Sequence, residues 1–251
     1  MIEIFPITLT QAEFRSAPEA ERSFYLKLGM ITNEVNVLNK VSLFSLTQLD
    51  NSDLMNRAGS VMGLLFRRLL AGRLHEAHKI ITTGYKPLKQ AYEAEMSEEG
   101  RQSYSALVTY FADKNNFIKS IRNKLAFHTD PDVFRRAVEA MDADETIVDY
   151  MCHSRGNTLF WSGETALISA LSQLAQTPNA AAMYGRLLDD TTEVAGLIAD
   201  FSYSFGLAFF KRNFPGKMGS LGVDRIEITD APVLTDFSLP WFCEPPTESQ
   251  A

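Results

Sequence analysis

APEAERSFYLKLGMITNEVNVLNKVSLFSL, residues 17–46, decides the fold class. Phe24, Leu28, Ile31, Val35, Leu38 and Leu43 recur at the spacing that lines one face of a helix. Ser16 with Glu19 three residues later is a capping-box signature, and Pro18 falls in the first turn, where a missing N–H is harmless. No proline interrupts the run, so it predicts one helix from about Ala17 to Leu46.

The same pattern extends outward. A second long helix starts after Asn51 or Ser52 and runs to about Ile81, stopping before Gly84-Tyr85-Lys86-Pro87, and a short one follows Pro87. Residues 98–112 and 114–128 read as helices, and Thr129-Asp130-Pro131 restarts a helix that reaches about Met141. Then the period changes. Residues 146–152 and 157–161 are β-rich and flank Ser154-Arg155-Gly156, which predicts a hairpin. Helices resume over 164–176 and 179–213. Five of the ten prolines fall after Asn213, so residues 215–251 are expected to wrap irregularly, with at most a strand at 224–229. The sequence therefore predicts a mainly α protein: a helical bundle with a small β-hairpin insertion near 146–161 and an irregular C-terminal tail. The helical domain spans 1–214, and 215–251 packs on it.

With 251 residues, 45% apolar and 22% charged, the composition is that of a soluble globular protein. Lys and Arg number 24 against 31 Asp and Glu, a net −7 that excludes a uniformly basic nucleic-acid coat but leaves room for a local basic site. Two cysteines, Cys152 and Cys243, outside any C-x-x-C pair, fit a reducing interior rather than a disulfide framework. The N-terminus lacks the pattern of a signal peptide, and the stretch 194–210 contains Asp200 and several hydroxyls, too polar to span a bilayer. A cytoplasmic protein without a membrane partner is expected.

G-x-S-x-G, Walker, H-E-x-x-H and G-x-G-x-x-G motifs are missing from the sequence, and no cofactor is expected. His75 and His78, three apart on a helix, are fewer ligands than zinc needs and read as a solvated helix face, so no metal site is expected. Phe201, Phe205 and Phe209 form a ridge read as core, with a role in dimer contact not required. Gly216, Gly219 and Gly222 read as a flexible turn region rather than a phosphate cradle.

The second helix carries an unusual charge. At about 100° per residue, with Arg57 at zero, Arg68 falls near 20°, His75 near 0° and Lys79 near 40°, a single stripe. Gly59 and Gly63 lie opposite, where another helix can approach. Residues 57–92 hold seven Lys/Arg against one Glu, and residues 114–136 hold six against two Asp, so +10 is concentrated in two segments of an acidic chain. Such polarity suits a polyanion. Arg57, Arg68, His75, Lys79 and Lys124 are the expected RNA contacts.

Within the second basic segment lies Ile121-Arg122-Asn123-Lys124-Leu125-Ala126-Phe127-His128. This R-N-x4-H run, in an all-helical setting, resembles the signature of the HEPN superfamily. Two other arginine–histidine spacings occur, Arg68 to His75 and Arg73 to His78, but only Arg122 has a polar successor and an immediate helix stop. The resemblance implies a helical domain that dimerises and, in active members, cleaves RNA without metal. Arg122, Asn123 and His128 are then the expected catalytic residues. Histidine titrates near neutrality and can serve as base or acid, arginine offers a fixed fork to phosphorane oxygens, and asparagine orients either. On a regular helix Arg122 and His128 are about 120° and 9 Å apart, so a twofold axis or a helix break is needed to bring both to one phosphate. The expected partners are a second copy of the chain, RNA or a nucleotide, and a cognate antitoxin or other protein. The competing expectation is a non-catalytic dimeric module binding a nucleotide or a protein.

Overall fold

The computed structural model describes residues 1–45, 52–127, 129–144, 146–177, 179–218 and 224–244. The first long helix, α2 (Glu19–Phe44), forms as its periodicity requires, with Phe24, Leu28, Ile31 and Val35 buried. Its N-terminus differs from expectation. Pro18 occupies the cap position without a side-chain bond, and Ser16 instead closes a preceding helix, α1 (Gln11–Ser16), by donating to the Glu13 carbonyl. The reciprocal capping box belongs to Thr10 and Glu13, three residues apart in the same pattern.

The chain continues through α3 (Asp53–Tyr85), the single turn α4 (Lys89–Tyr92), α5 (Glu98–Ala112), α6 (Phe117–Ile121), α7 (Pro131–Glu139), α8 (Trp161–Ala175), α9 (Ala180–Asn213) and the single turn α10 (Pro215–Met218). Helices α2, α3, α5 and α8 all pack against α9. Phe201, Phe205 and Phe209 are fully buried at the centre of this bundle, with Phe24 edge-on to Phe205 at 4.8 Å and Tyr25 stacked on Phe209 at 4.5 Å. By length and composition α9 is the one described helix apolar enough to cross a membrane, and this aromatic face is its contribution to the core.

A polar network crosses the bundle. The Tyr92 hydroxyl donates to the buried Glu21 carboxylate, and the Asn213 amide donates to Glu21 at 3.0 Å, to Tyr92 at 3.1 Å and to the Phe209 carbonyl at 3.1 Å. It joins α2, α4 and α9 through groups whose burial demands partners.

The expected hairpin over 146–161 is reduced to one bridge. Tyr150 and Leu159 exchange two 2.9 Å backbone bonds across a 3-10 turn at Arg155–Asn157, and no strands extend from them. Among the described residues nothing covers the faces that would make strands stable: Ile147, Met151 and Phe160 are exposed, and of 146–160 Leu159 alone is buried. Moreover, Asp149 accepts from the Ser162 N–H at 2.8 Å and its hydroxyl at 3.0 Å, which draws residues from Trp161 onward into α8. The tail does contain a strand, β2 (Ile226–Ile228), and its partner is the N-terminal β1 (Ile2–Ile4), antiparallel with Ile2 opposite Ile228. Asn157 holds the tail at a second point through two bonds to the Cys243 backbone, at 2.8 and 2.9 Å.

Candidate functional site

The R-N-x4-H segment lies where a helix changes pitch. Asn116 caps α6, accepting from the Lys119 N–H at 2.8 Å. From Arg122 to Ala126 the helix widens to a π-helical turn, a distortion frequent at functional sites. Its terminal carbonyls are taken from outside: Arg68 of α3 donates to Leu125 O at 2.9 Å, and the Asp130 N–H donates to Lys124 O at 2.9 Å. Gly72 of α3 permits the close approach, since a Cβ there would lie 2.6 Å from the Phe127 ring. The helical run therefore ends before Phe127, as the cap residues Asp130 and Pro131 require. His128 lies outside the described residues.

Arg122 is pinned at the surface, its side chain 34% exposed. Nε donates to a Glu76 oxygen at 2.9 Å, Nη2 is ion-paired with the same oxygen at 2.8 Å, and Nη1 donates to the Asn123 side-chain carbonyl at 3.3 Å. Lys79 stands 3.6 Å and the His75 ring 3.8 Å from that Glu76 oxygen. Burial opposes ionisation of Glu76, but the Arg122 bonds and the Lys79 charge outweigh it and hold the carboxyl below its usual range. Both histidines are pushed the other way. Burial, with Lys79 among the nearby cations, lowers His75, and burial together with His75 and Lys79 lowers His78 to about 4, so both rings are neutral at pH 7.

The row read as a solvated basic stripe is divided along its length. Arg57 pairs with Asp53 at 3.0 Å and lies over the Trp161 ring at 5.1 Å. Arg68 is turned inward onto Leu125. His75 is buried, edge-on to Phe111 at 5.8 Å, and His78 stacks on the same ring at 4.1 Å. The solvated-face reading of the two histidines is thus corrected: α3 turns them toward α5. Lys79 is exposed, Lys124 half-buried and Asn123 exposed. The structure brings Arg122, Asn123 and Lys79 to one place and separates them from Arg57 and Arg68. Glu76, the residue that organises this place, was not singled out by the sequence, because the only local signal is its position between two histidines.

The cluster can hold an anion. By donor count, Arg122 keeps further N–H groups on Nη1 and Nη2 beyond those engaged, and Lys79 adds a mobile charge. Among the described residues no group of three His, Cys, Asp or Glu has metal-site geometry. No protein-family model, curated protein or solved structure matches the chain.

Proposed function

We propose that the protein is a metal-independent endoribonuclease of the toxin or phage-defence type, acting as a homodimer through Arg122 and His128. The observation that carries this reading is the end of the helical run before Phe127, one turn after an Arg122 held at the surface by a hydrogen bond and an ion pair to Glu76. A break there removes the geometric objection that a regular helix raises against Arg122 and His128 meeting one phosphate. In the proposed reaction the 2′-oxygen attacks the adjacent phosphorus and gives its proton to a histidine. The bond to the 5′-oxygen breaks, that oxygen takes a proton from a protonated histidine and leaves as a hydroxyl, and a cyclic 2′,3′-phosphate remains. Arg122 faces the phosphorane oxygens, and Asn123 fixes its Nη1.

Incubation of the purified protein with total RNA, with and without EDTA, tests this. Cleavage is expected in both, with cyclic phosphate ends, and His128→Ala is expected to abolish it. Arg122→Ala should lower the rate by about 10²- to 10³-fold, as for other donors to a developing oxyanion. Cleavage that needs a divalent ion or survives loss of His128 refutes the reading. One observation favours the alternative of a non-catalytic dimeric module for a nucleotide or protein partner: Glu76 already neutralises Arg122, an arrangement suited to holding structure. RNA or nucleotide binding without turnover would select it.

A further inference from the structure

The side of α2 turned away from the core carries a pattern of its own. Leu26, Met30, Asn33 and Val37 are all exposed, and they recur at spacings of four, three and four, the a and d positions of a heptad. Phe24, Leu28, Ile31 and Val35, which α2 sends into the bundle, fall at the b and f positions on the opposite side. The outer row is therefore a second apolar stripe and not an edge of the first. Leu26, Met30 and Val37 are 57, 54 and 58% exposed, whereas the apolar residues of a surface helix are ordinarily gathered on its core face. Asn33 is the polar member of the row, the kind of interruption that fixes register at a cost in stability. Beside the row an open groove of about 420 Å³ runs between α2 and α3, bordered by Asn33, Val37 and Leu38 on one side and Arg73 on the other.

Charge identifies what fits there. In an antiparallel pair of heptad helices a faces d, and e faces e. The e positions of this stretch are Lys27 and Glu34. When Leu26 of one copy lies opposite Val37 of another, and Met30 opposite Asn33, Lys27 of each copy comes beside Glu34 of the other. The helix thus complements itself twice about one twofold axis. Lys27 is exposed and has no hydrogen-bond or ion-pair partner among the described residues. Arg73 engages Oε2 of Glu34, whose side chain is still 38% exposed, so Oε1 can take a second cation. The other flank, at g, holds Gly29 and Asn36, and a Cβ at Gly29 would meet nothing within 4 Å, which leaves room for close approach. A parallel pair would set Lys27 beside Arg22, two cations, and is disfavoured.

We propose that α2 pairs antiparallel with α2 of a second copy of this chain, about a twofold axis at the level of Ile31 and Thr32, with Leu26 and Met30 of each copy entering the groove of the other. The inference rests on the reading of the protein as a homodimer and supplies the face that reading leaves open. Glu76 follows Arg73 by three residues on α3, about 60° round and 4.5 Å along, so the second copy lies beside the Arg122 cluster.

Sedimentation velocity of the full chain between about 1 and 200 μM tests the proposal. A monomer–dimer equilibrium is expected, with a dissociation constant on the order of 10 μM for a contact at the small end of specific interfaces. Met30→Glu should weaken it at least about tenfold while the monomer stays folded, because the position is half exposed. Lys27→Glu should weaken it by several-fold at low salt and less at high salt, since it replaces two attractions by two repulsions. Met151→Glu, at an exposed apolar residue far along the chain, should leave it unchanged. Register is read by oxidation of cysteine variants in a Cys152→Ser, Cys243→Ser background. A mixture of Leu26→Cys and Val37→Cys should cross-link between the two, and neither alone should. The proposal is overturned if the native chain stays monomeric, if folded Met30→Glu or Lys27→Glu dimerises as the native chain does, if Met151→Glu dissociates the dimer equally, or if the cysteine mixture gives no cross-link beyond that of each variant alone. A dimer that meets these tests and leaves RNA intact supports the interface and refutes the ribonuclease reading, whereas RNA cleavage by a dimer that ignores Met30→Glu does the reverse.

Discussion

Replacing Arg68 by Met separates two roles for this residue, an RNA contact on a basic stripe and a cap on the π-helical turn. Methionine keeps much of the apolar length and removes the donor to Leu125 O. That carbonyl belongs to a residue 1% exposed, so water does not readily replace the lost bond. A hydrogen bond from a charged donor contributes about 1.5–3 kcal/mol, and a cation at a helix C-terminus adds a few tenths within that range. Glu164 loses its nearby cation as well, and its pKa, already raised by burial, rises further. A loss of about 2 kcal/mol in a domain of this size lowers the melting temperature by roughly 4–8 °C. Melts followed by circular dichroism at low and high salt measure it, and the loss should persist at high salt because the contact is shielded from solvent. An arginine facing RNA behaves differently: its removal leaves the melt unchanged and reduces the salt slope of RNA binding by about one. An Arg68→Met variant that melts with the native protein and loses one unit of that slope would refute the capping role.

Gly84→Ala places a Cβ 2.3 Å from the buried Phe24 ring, and overpacking of about 1–3 kcal/mol should outweigh the gain of about 1 kcal/mol in helix propensity, read as a lower urea midpoint. Gly72→Ala meets the outer edge of the exposed Phe127 ring and, at 3.2 Å, the Ala126 Cβ; the ring can swing outward, so stability should change by less than about 1 kcal/mol while RNA cleavage falls, since the displaced residue adjoins His128. Tyr92→Phe removes a donor from the buried Glu21 carboxylate and should cost about 1–3 kcal/mol in the same urea assay. The pH dependence follows from His78: its folded pKa of about 4 lies below the unfolded 6.5, so between these values the unfolded state binds more protons, and stability is full above pH 6.5 and falls on acidification toward pH 4. In His78→Gln the slope of urea midpoint against pH between 6.5 and 5 should flatten, and an unchanged slope would assign the effect elsewhere.

The helices were legible because their signals are local. Apolar spacing set α2, and Ser97 and Asn179 begin α5 and α9 with side-chain caps that belong to the neighbouring residues. The hairpin is reduced to a single bridge for the opposite reason. A strand is stable only when something covers it, and the β-rich composition of 146–152 and 157–161 says nothing about cover. Likewise β2 was visible as a run of β-formers, but its pairing with β1 joins residues more than 220 positions apart, and no local pattern encodes that contact. The capping box was displaced because two overlapping matches, Thr10 with Glu13 and Ser16 with Glu19, satisfy the same spacing, and Ser16 is already committed to closing α1.

The candidate site divides along the same line. The break after Ala126 was legible, since Asp130 and Pro131 are local signals, whereas the bond from Arg122 to Glu76 spans 46 positions and was not. A helical wheel gives the direction of a side chain but not the neighbour it meets. Along the 33 residues of α3, about 50 Å, one direction meets the Trp161 ring at Arg57, the π-helical turn at Arg68 and the Phe111 ring at His75. Arg67, turned by only about 100° from Arg68, meets α9 instead and donates to the Thr191 hydroxyl rather than to a helix-end carbonyl. Adjacent arginines thus serve a helix cap and a buried contact between α3 and α9, and neither serves the surface. A polyanion that reaches this protein meets Arg122, Lys79, Lys119 and Lys124, which keep exposed or half-exposed side chains around Glu76 or along the turn. The basic charge open to such a polyanion is therefore smaller than the count of lysine and arginine in these segments, because Arg67 is buried and Arg68 is turned inward onto Leu125.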